Sequence, residues 1–174
     1  AEGIRDSHHP SLAPLQKALL DFKDETMAVN RKEGKPVVWL TGDSTVKNED
    51  KDDNGMWGWG AVAAECFDTT KVTVCNAAMA GRSTRTFLEE GLWEKVYNSL
   101  HAGDYVLIQF GHNDIGDIDR GKARGVIPVA ADSSKVFRIN TDKEQRYRVI
   151  YSFGWYLRKM IDDCREKGAV PIIL

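Results

Sequence analysis

The chain has 174 residues and a formal net charge of −2, a length that suits one domain with a sizeable core and a balance that gives no electrostatic ground for a nucleic-acid partner. No apolar run approaches membrane-spanning length, so no membrane partner is expected. Cys66, Cys75 and Cys164 show neither a CxxC spacing nor a zinc pattern; Cys75 in a predicted buried strand and Cys164 on an apolar helix face read as small hydrophobes of the core.

Residues 1–11 read as a weakly held leader. The start, Ala1-Glu2-Gly3-Ile4, is polar and carries no signal-peptide pattern, which fits a cytosolic protein or a chain whose leader was removed. Leu12, Leu15, Leu19 and Phe22 recur at helical spacing and predict an amphipathic helix over about 12–31, with Pro14 in its first turn. Gly34-Lys35-Pro36 ends it. Residues 1–31 are therefore set apart from a main domain over 32–174. Val37-Val38-Trp39-Leu40 is a continuous apolar run ending at Thr41-Gly42, as in a strand buried on both faces.

A polar loop follows from Asn48 to Gly55, and Trp57-Gly58-Trp59-Gly60 leads into a short helix over about 59–67. Asp50, Asp52, Asn54 and Gly55 imitate the first half of a calcium loop. Ala61 stands where its closing glutamate belongs, so a solvated loop is expected and no metal. Residues 72–76 predict a second strand. Thr86 with Glu89 has capping-box spacing, and Leu92, Val96 and Leu100 mark a helix after it. Residues 105–110 predict a third strand.

Residues 112–140 read as a long polar connection, a lid or a substrate platform. Thr141 with Glu144 has capping-box spacing, and Val149, Phe153, Leu157, Ile161 and Cys164 form an i, i+4 stripe that predicts one long helix. Gly168 stops it, and residues 169–174 predict a fourth strand. The βαβαβαβ order argues for a three-layer α/β/α sandwich around a parallel sheet. Its last apolar strand would leave an uncovered edge. A C-terminally incomplete fold is the expectation, completed by further polypeptide or a second chain.

Three polar blocks fall at the ends of the first three strands: Gly42-Asp43-Ser44-Thr45, Gly81-Arg82-Ser83 and Gly111-His112-Asn113-Asp114. Ligands of open α/β sheets bind beyond the carboxyl ends of the strands. A serine there offers a hydroxyl nucleophile once a base takes its proton. Position alone leaves a cap of the next turn equally open for Ser44. Gly81 lets a backbone N–H approach a ligand closely, and Asn113 offers a side-chain NH₂. With the Ser44 N–H these make three donors suited to a tetrahedral oxyanion.

The blocks, in order, resemble those of the SGNH (GDSL-like) hydrolases. With Gly58-Trp59-Gly60 and the run from Asn76 through Gly81 to Thr84, the chain resembles the rhamnogalacturonan acetylesterases among them. The resemblance runs from about Val37 to the end of the chain. It implies a flavodoxin-like hydrolase fold, Ser44 as nucleophile, and an oxyanion hole of the Ser44 N–H, the Gly81 N–H and Asn113. Asp114 would support the third block, and Asp43, Arg82, Trp57 and His112 are assigned to substrate binding. It also implies a secreted or periplasmic serine acetylesterase without cofactor, acting on an acetylated, pectin-like polysaccharide.

The family's Asp-x-x-His block has no match here. His8 and His9 precede the first strand, His101 is placed on the far rim of the sheet, and His112 fills the variable position of its block. The triad's histidine and aspartate are thus expected outside this chain. Trp57 and Trp59 offer faces for a sugar ring, with Trp59 expected in the core. Arg82, Arg85, Arg120 and Arg124 offer guanidinium groups to uronic-acid carboxylates. Two rival expectations stand beside the esterase. One is a non-catalytic carbohydrate-binding relative with a decayed site. The other is a nucleotide binder of flavodoxin-like topology, although no phosphate-binding glycine motif is present.

Overall fold

The structure, a computed structural model, describes residues 25–47 and 57–174. Four parallel strands form the central sheet in the order β2-β1-β3-β6. They are β1 (Val37–Gly42), β2 (Thr73–Asn76), β3 (Tyr105–Gln109) and β6 (Val170–Ile173). β1 lies inside the sheet, and all six of its residues are buried, which is why its sequence reads as an unbroken apolar run rather than an alternation. Its register places Leu40 beside Asn76 and Gly42 beside Gln109. The polar residues that end the apolar runs therefore meet at one edge.

Alternate β1 residues serve opposite faces, as the pleat requires. Val37 and Trp39 join Phe87, Trp93, Val96, Met160 and Cys164 in one core. That face is covered by α1 (Thr84–Glu89), α2 (Leu92–Ser99) and α3 (Phe153–Glu166). The buried indole N–H of Trp93 donates to Asp163 at 2.8 Å and fastens α2 to α3. Val38 and Leu40 face the other way, onto Val46, Ala63 and Ala78 with Trp59, Phe67 and Leu107 beside them. Two 3-10 turns, Trp59–Ala61 and Ala63–Cys66, cover that side, where one short helix was expected. No helix among the described residues is long and apolar enough to cross a membrane.

Several sequence expectations are corrected. The helix at 12–31 lies in part outside the described residues, and residues 25–31 are not helical. Met27 and Val29 pack against the larger core instead, and Arg31 reaches Asp104. The helix after β2 begins earlier than Thr86: Ser83 is the cap, its hydroxyl accepting from the Thr86 N–H while the Thr86 hydroxyl accepts from the Ser83 N–H. Gly91 then breaks the helix in a left-handed conformation before α2 starts. Cys75 is half-buried rather than buried, because β2 is an edge strand, whereas Cys164 is fully buried.

The largest correction concerns residues 134–151. The long polar connection and the start of the predicted helix form an antiparallel hairpin, β4 (Ser134–Asn140) and β5 (Gln145–Tyr151). Ile139 and Ile150 are the buried members of the hairpin, while Tyr147 and Val149 are exposed. Thr141 and Glu144 close its turn. The Thr141 N–H donates to the Glu144 carbonyl at 2.9 Å, and the Glu144 N–H to the Thr141 hydroxyl at 3.0 Å. Side-chain bonding of that kind caps a helix or closes a turn with equal ease, and here the pairing of the two strands decides. α3 then starts at Phe153 with Ser152 as its cap.

Candidate active site

β1 delivers Gly42 to the carboxyl edge of the sheet, and the chain turns at once through Asp43, Ser44 and Thr45. Asp43 shapes the turn. Its Oδ1 accepts from the Thr45 N–H at 2.9 Å and the Thr45 hydroxyl at 2.8 Å, an arrangement that short acidic side chains favour in turns. With Asp43 1% exposed, Ser44 is left partly open to solvent on the same turn.

The turn is braced from the second face. Gly58 and Gly60 pass so close to the loop after Ser44 that a Cβ at Gly60 would sit 2.1 Å from the Val46 carbonyl oxygen and 2.2 Å from Asn76 Nδ2. Asn76, at the end of β2, donates to that same carbonyl at 2.9 Å. The Trp59 indole donates to Gln109 Oε1 at 2.8 Å, and Gln109 Nε2 to the Thr45 hydroxyl at 2.9 Å. Trp59 therefore packs against the core, as expected, and also anchors the serine turn. Thr45, Gln109 and Asn76 are supports that sequence reasoning did not single out. The available signal was a polar residue ending each apolar run.

The other two blocks converge on the first. Asn113 Nδ2 donates to Asp43 Oδ2 at 3.3 Å and to the Arg82 carbonyl at 3.1 Å, while its Oδ1 accepts from Arg124 Nη1 at 3.0 Å. A flipped amide would set its oxygen against a carboxylate and a carbonyl, and its NH₂ against a guanidinium, so these partners fix its orientation. Gly81 has φ +75°, and a Cβ there would lie 2.9 Å from Arg124 Nη1. No acceptor among the described residues takes the N–H of Ser44 or of Gly81. Ser44 and Gly81, whose N–H groups are unclaimed, are the chain neighbours of Asp43 and Arg82, the two residues that accept from the Asn113 amide.

Asp114 turns away from the opening. Its Oδ1 accepts from the Thr84 N–H at 2.9 Å and the Thr84 hydroxyl at 2.5 Å, tying the third block to the start of α1. Burial pushes its carboxyl above the ordinary value, against the pull of the Thr84 bonds. Its Oδ2 is buried without a partner among the described residues.

The residues assigned to substrate binding divide. Asp43 turns inward and not to the opening: its buried carboxylate accepts from Thr45 and Asn113. Arg82 faces the opening with its guanidinium paired to Glu90 at 2.7 Å. Trp57 is 63% exposed, and His112 is exposed in the loop after β3. Arg85 is corrected. It is 1% exposed and donates to the carbonyls of Ala123 and Ile118, so no substrate carboxylate meets it. Arg120 is an exposed partner of Asp117.

Neither described histidine bonds to Ser44. His101 lies at the opposite end of β3, where its N–H donates to Asp104 at 3.0 Å. His8, His9 and the residues of the calcium-like loop lie outside the described residues. Among the described residues no cluster of three His, Cys, Asp or Glu side chains is placed to hold a metal ion.

No family model matches the chain. It is 36% identical over 141 residues to the rhamnogalacturonan acetylesterase RhgT of Bacillus subtilis, an alignment that covers 80% of this chain and 49% of that protein. It is 36% identical over 137 residues to a rhamnogalacturonan acetylesterase of Emericella nidulans, covering 79% of this chain and 51% of that one. These likenesses support the resemblance of the three blocks to those of the SGNH (GDSL-like) hydrolases. It spans about half the length of these curated relatives. The crystal structure of the YxiM protein of Bacillus subtilis shares the fold with a TM-score of 0.56 at 24% identity, over 80% of this chain and 32% of that one. In this chain the three blocks follow the carboxyl ends of β1, β2 and β3, in sequence order.

Proposed function

We propose that the protein containing this chain is a serine esterase that removes acetyl groups from a pectic, rhamnogalacturonan-like polysaccharide outside the cytoplasm. Ser44 attacks the acetyl carbonyl, and its proton passes to a histidine supplied by polypeptide outside this chain. The tetrahedral oxyanion is held by the N–H groups of Ser44 and Gly81 and by the Asn113 amide, which turns one N–H from its long 3.3 Å bond to Asp43 toward the oxyanion. Collapse expels the sugar hydroxyl, which takes the proton back from the histidine, and water then releases acetate from Ser44.

The observation that carries the reading is the bonding of Asn113 to both Asp43 and the Arg82 carbonyl. It brings three blocks far apart in sequence to one place. Among the described residues no histidine bonds to Ser44, and the chain spans about half of relatives named for this activity. The test is acetate release from acetylated rhamnogalacturonan and from p-nitrophenyl acetate by the full-length protein, beside Ser44→Ala. Loss of both activities in the variant is expected; activity retained at the wild-type level removes Ser44 from its role.

A further inference from the structure

Next to Gly81 a groove of about 590 Å³ runs between the start of α1, residues 121–124 and the turn of the β4–β5 hairpin, a volume within the range of small-ligand sites. Its charges do not balance internally. Arg82 pairs with Glu90 at 2.7 Å, Arg148 with Glu89 at 2.9 Å and Arg146 with Glu144 at 2.5 Å. These pairs use three of the acids that line the groove and leave Asp142. Lys122, Arg124 and Lys143 have no acidic partner among the described residues. A surplus of cations in a concave wall suits an anionic ligand.

Arg124 differs from the two lysines because it is bonded into the site. Its Nη1 donates to Asn113 Oδ1 at 3.0 Å, and its guanidinium lies against Gly81. The segment that carries it is held from inside the protein. Buried Arg85 donates to the Ala123 carbonyl, the Gly125 N–H to the Asp117 carbonyl at 2.9 Å and the Val126 N–H to the Asp114 carbonyl at 3.0 Å. Ala123 is held at φ +46° within this segment.

We propose that Arg124 couples substrate charge to the oxyanion donor: one edge of its guanidinium fixes the Asn113 amide, and the remaining donors receive the carboxylate of an acidic sugar unit next to the unit that carries the ester. The planar fork makes this double contact possible, since five N–H donors in one plane serve two acceptors at once, which an ammonium does with less geometric control. Arg124 is thus a positioning residue toward Asn113 and a specificity residue toward the chain being cut. The proposal rests on the esterase reading above and adds a charge-selective subsite to it.

The test uses the full-length protein with Arg124→Met and Arg124→Lys, their folding checked by circular dichroism. Two quantities are read: kcat on p-nitrophenyl acetate, and the ratio of kcat/KM on an acetylated acidic oligosaccharide to that on its carboxyl-reduced form. Arg124→Met is expected to lower the ratio by roughly ten- to a hundredfold and to lower kcat on the small neutral ester as well. Arg124→Lys is expected to keep part of the ratio and still lose kcat, because it keeps charge without the fork. A ratio or a kcat unchanged in both variants overturns the proposal. Titration of trigalacturonate into wild-type protein, beside its carboxyl-reduced form, reads the subsite without needing Ser44. Equal binding of the two overturns the subsite even if ester cleavage is intact. Preferential binding without ester cleavage keeps the subsite and overturns the esterase reading.

Discussion

Replacing Asp104 by asparagine tests the best-satisfied charge in the structure. Asp104 is fully buried. It accepts from both Arg31 nitrogens at 2.7 and 2.8 Å, from the Val37 N–H at 2.9 Å, from the Trp39 indole at 3.0 Å and from the His101 N–H at 3.0 Å. Burial alone would raise its pKa. The bonds from Arg31, Trp39, Val37 and His101 together outweigh burial and hold the carboxyl at about 2, below the ordinary 3.8. Linkage converts that difference into about 2 kcal/mol of folding stability. Because the folded value is depressed, this stability is fully present above about pH 4 and drains away as pH falls through about 2. Asparagine removes it and turns an NH₂ toward groups that are themselves donors. The total loss expected at pH 7 is therefore about 3 kcal/mol, a large share of a typical domain's 5–15 kcal/mol. Urea unfolding followed by tryptophan fluorescence at pH 7 and at successively lower pH measures it. The wild type and Asp104→Asn should differ most at neutral pH and converge toward pH 2.5. Equal midpoints at pH 7, or a gap that does not change with pH, would refute this account of the carboxylate.

Other perturbations reach the site itself. Asn113→Ala should lower kcat on p-nitrophenyl acetate by roughly a hundredfold with little change in KM; a proportional rise in KM at constant kcat would instead mark ground-state binding. Gly60→Ala places a methyl against the Val46 carbonyl and Asn76. It should cost about 1–3 kcal/mol in a urea titration and lower kcat as well, since the loop it displaces follows Ser44. Thiol labelling at pH 8 should modify exposed Cys66 in the native protein and reach Cys164 only after unfolding. Burial raises the Cys164 thiol to about 12 and keeps it protonated at that pH.

Much of the sheet was legible because its strands are short, largely apolar runs. Val37–Gly42, Thr73–Asn76, Tyr105–Gln109 and Val170–Ile173 all fall where the sequence places them. The hairpin was not. Val149, Phe153, Leu157 and Ile161 keep helical spacing across a boundary at Ser152, and only the pairing of residues 134–140 with 145–151 makes Val149 a strand residue, opposite Val136. The Ser83 cap was missed in a similar way, since Ser83 and Thr86 satisfy the same chemistry as Thr86 and Glu89 one turn earlier.

At the site, local sequence determined which groups are present: a serine in a glycine-led turn after β1, a glycine after β2 and an asparagine after β3. Strand ends and turns are encoded by neighbours a few residues away, so these were readable without coordinates. Tertiary structure decided what each neighbour does. Asp43 turned inward to Thr45 and Asn113, Arg85 became a buried brace, and Arg124, one arginine among four of similar promise, was bonded to the amide. Those partnerships join residues as much as 70 positions apart. They follow from the register that sets Gly42 beside Gln109, and register is a property of packed strands that no local preference contains.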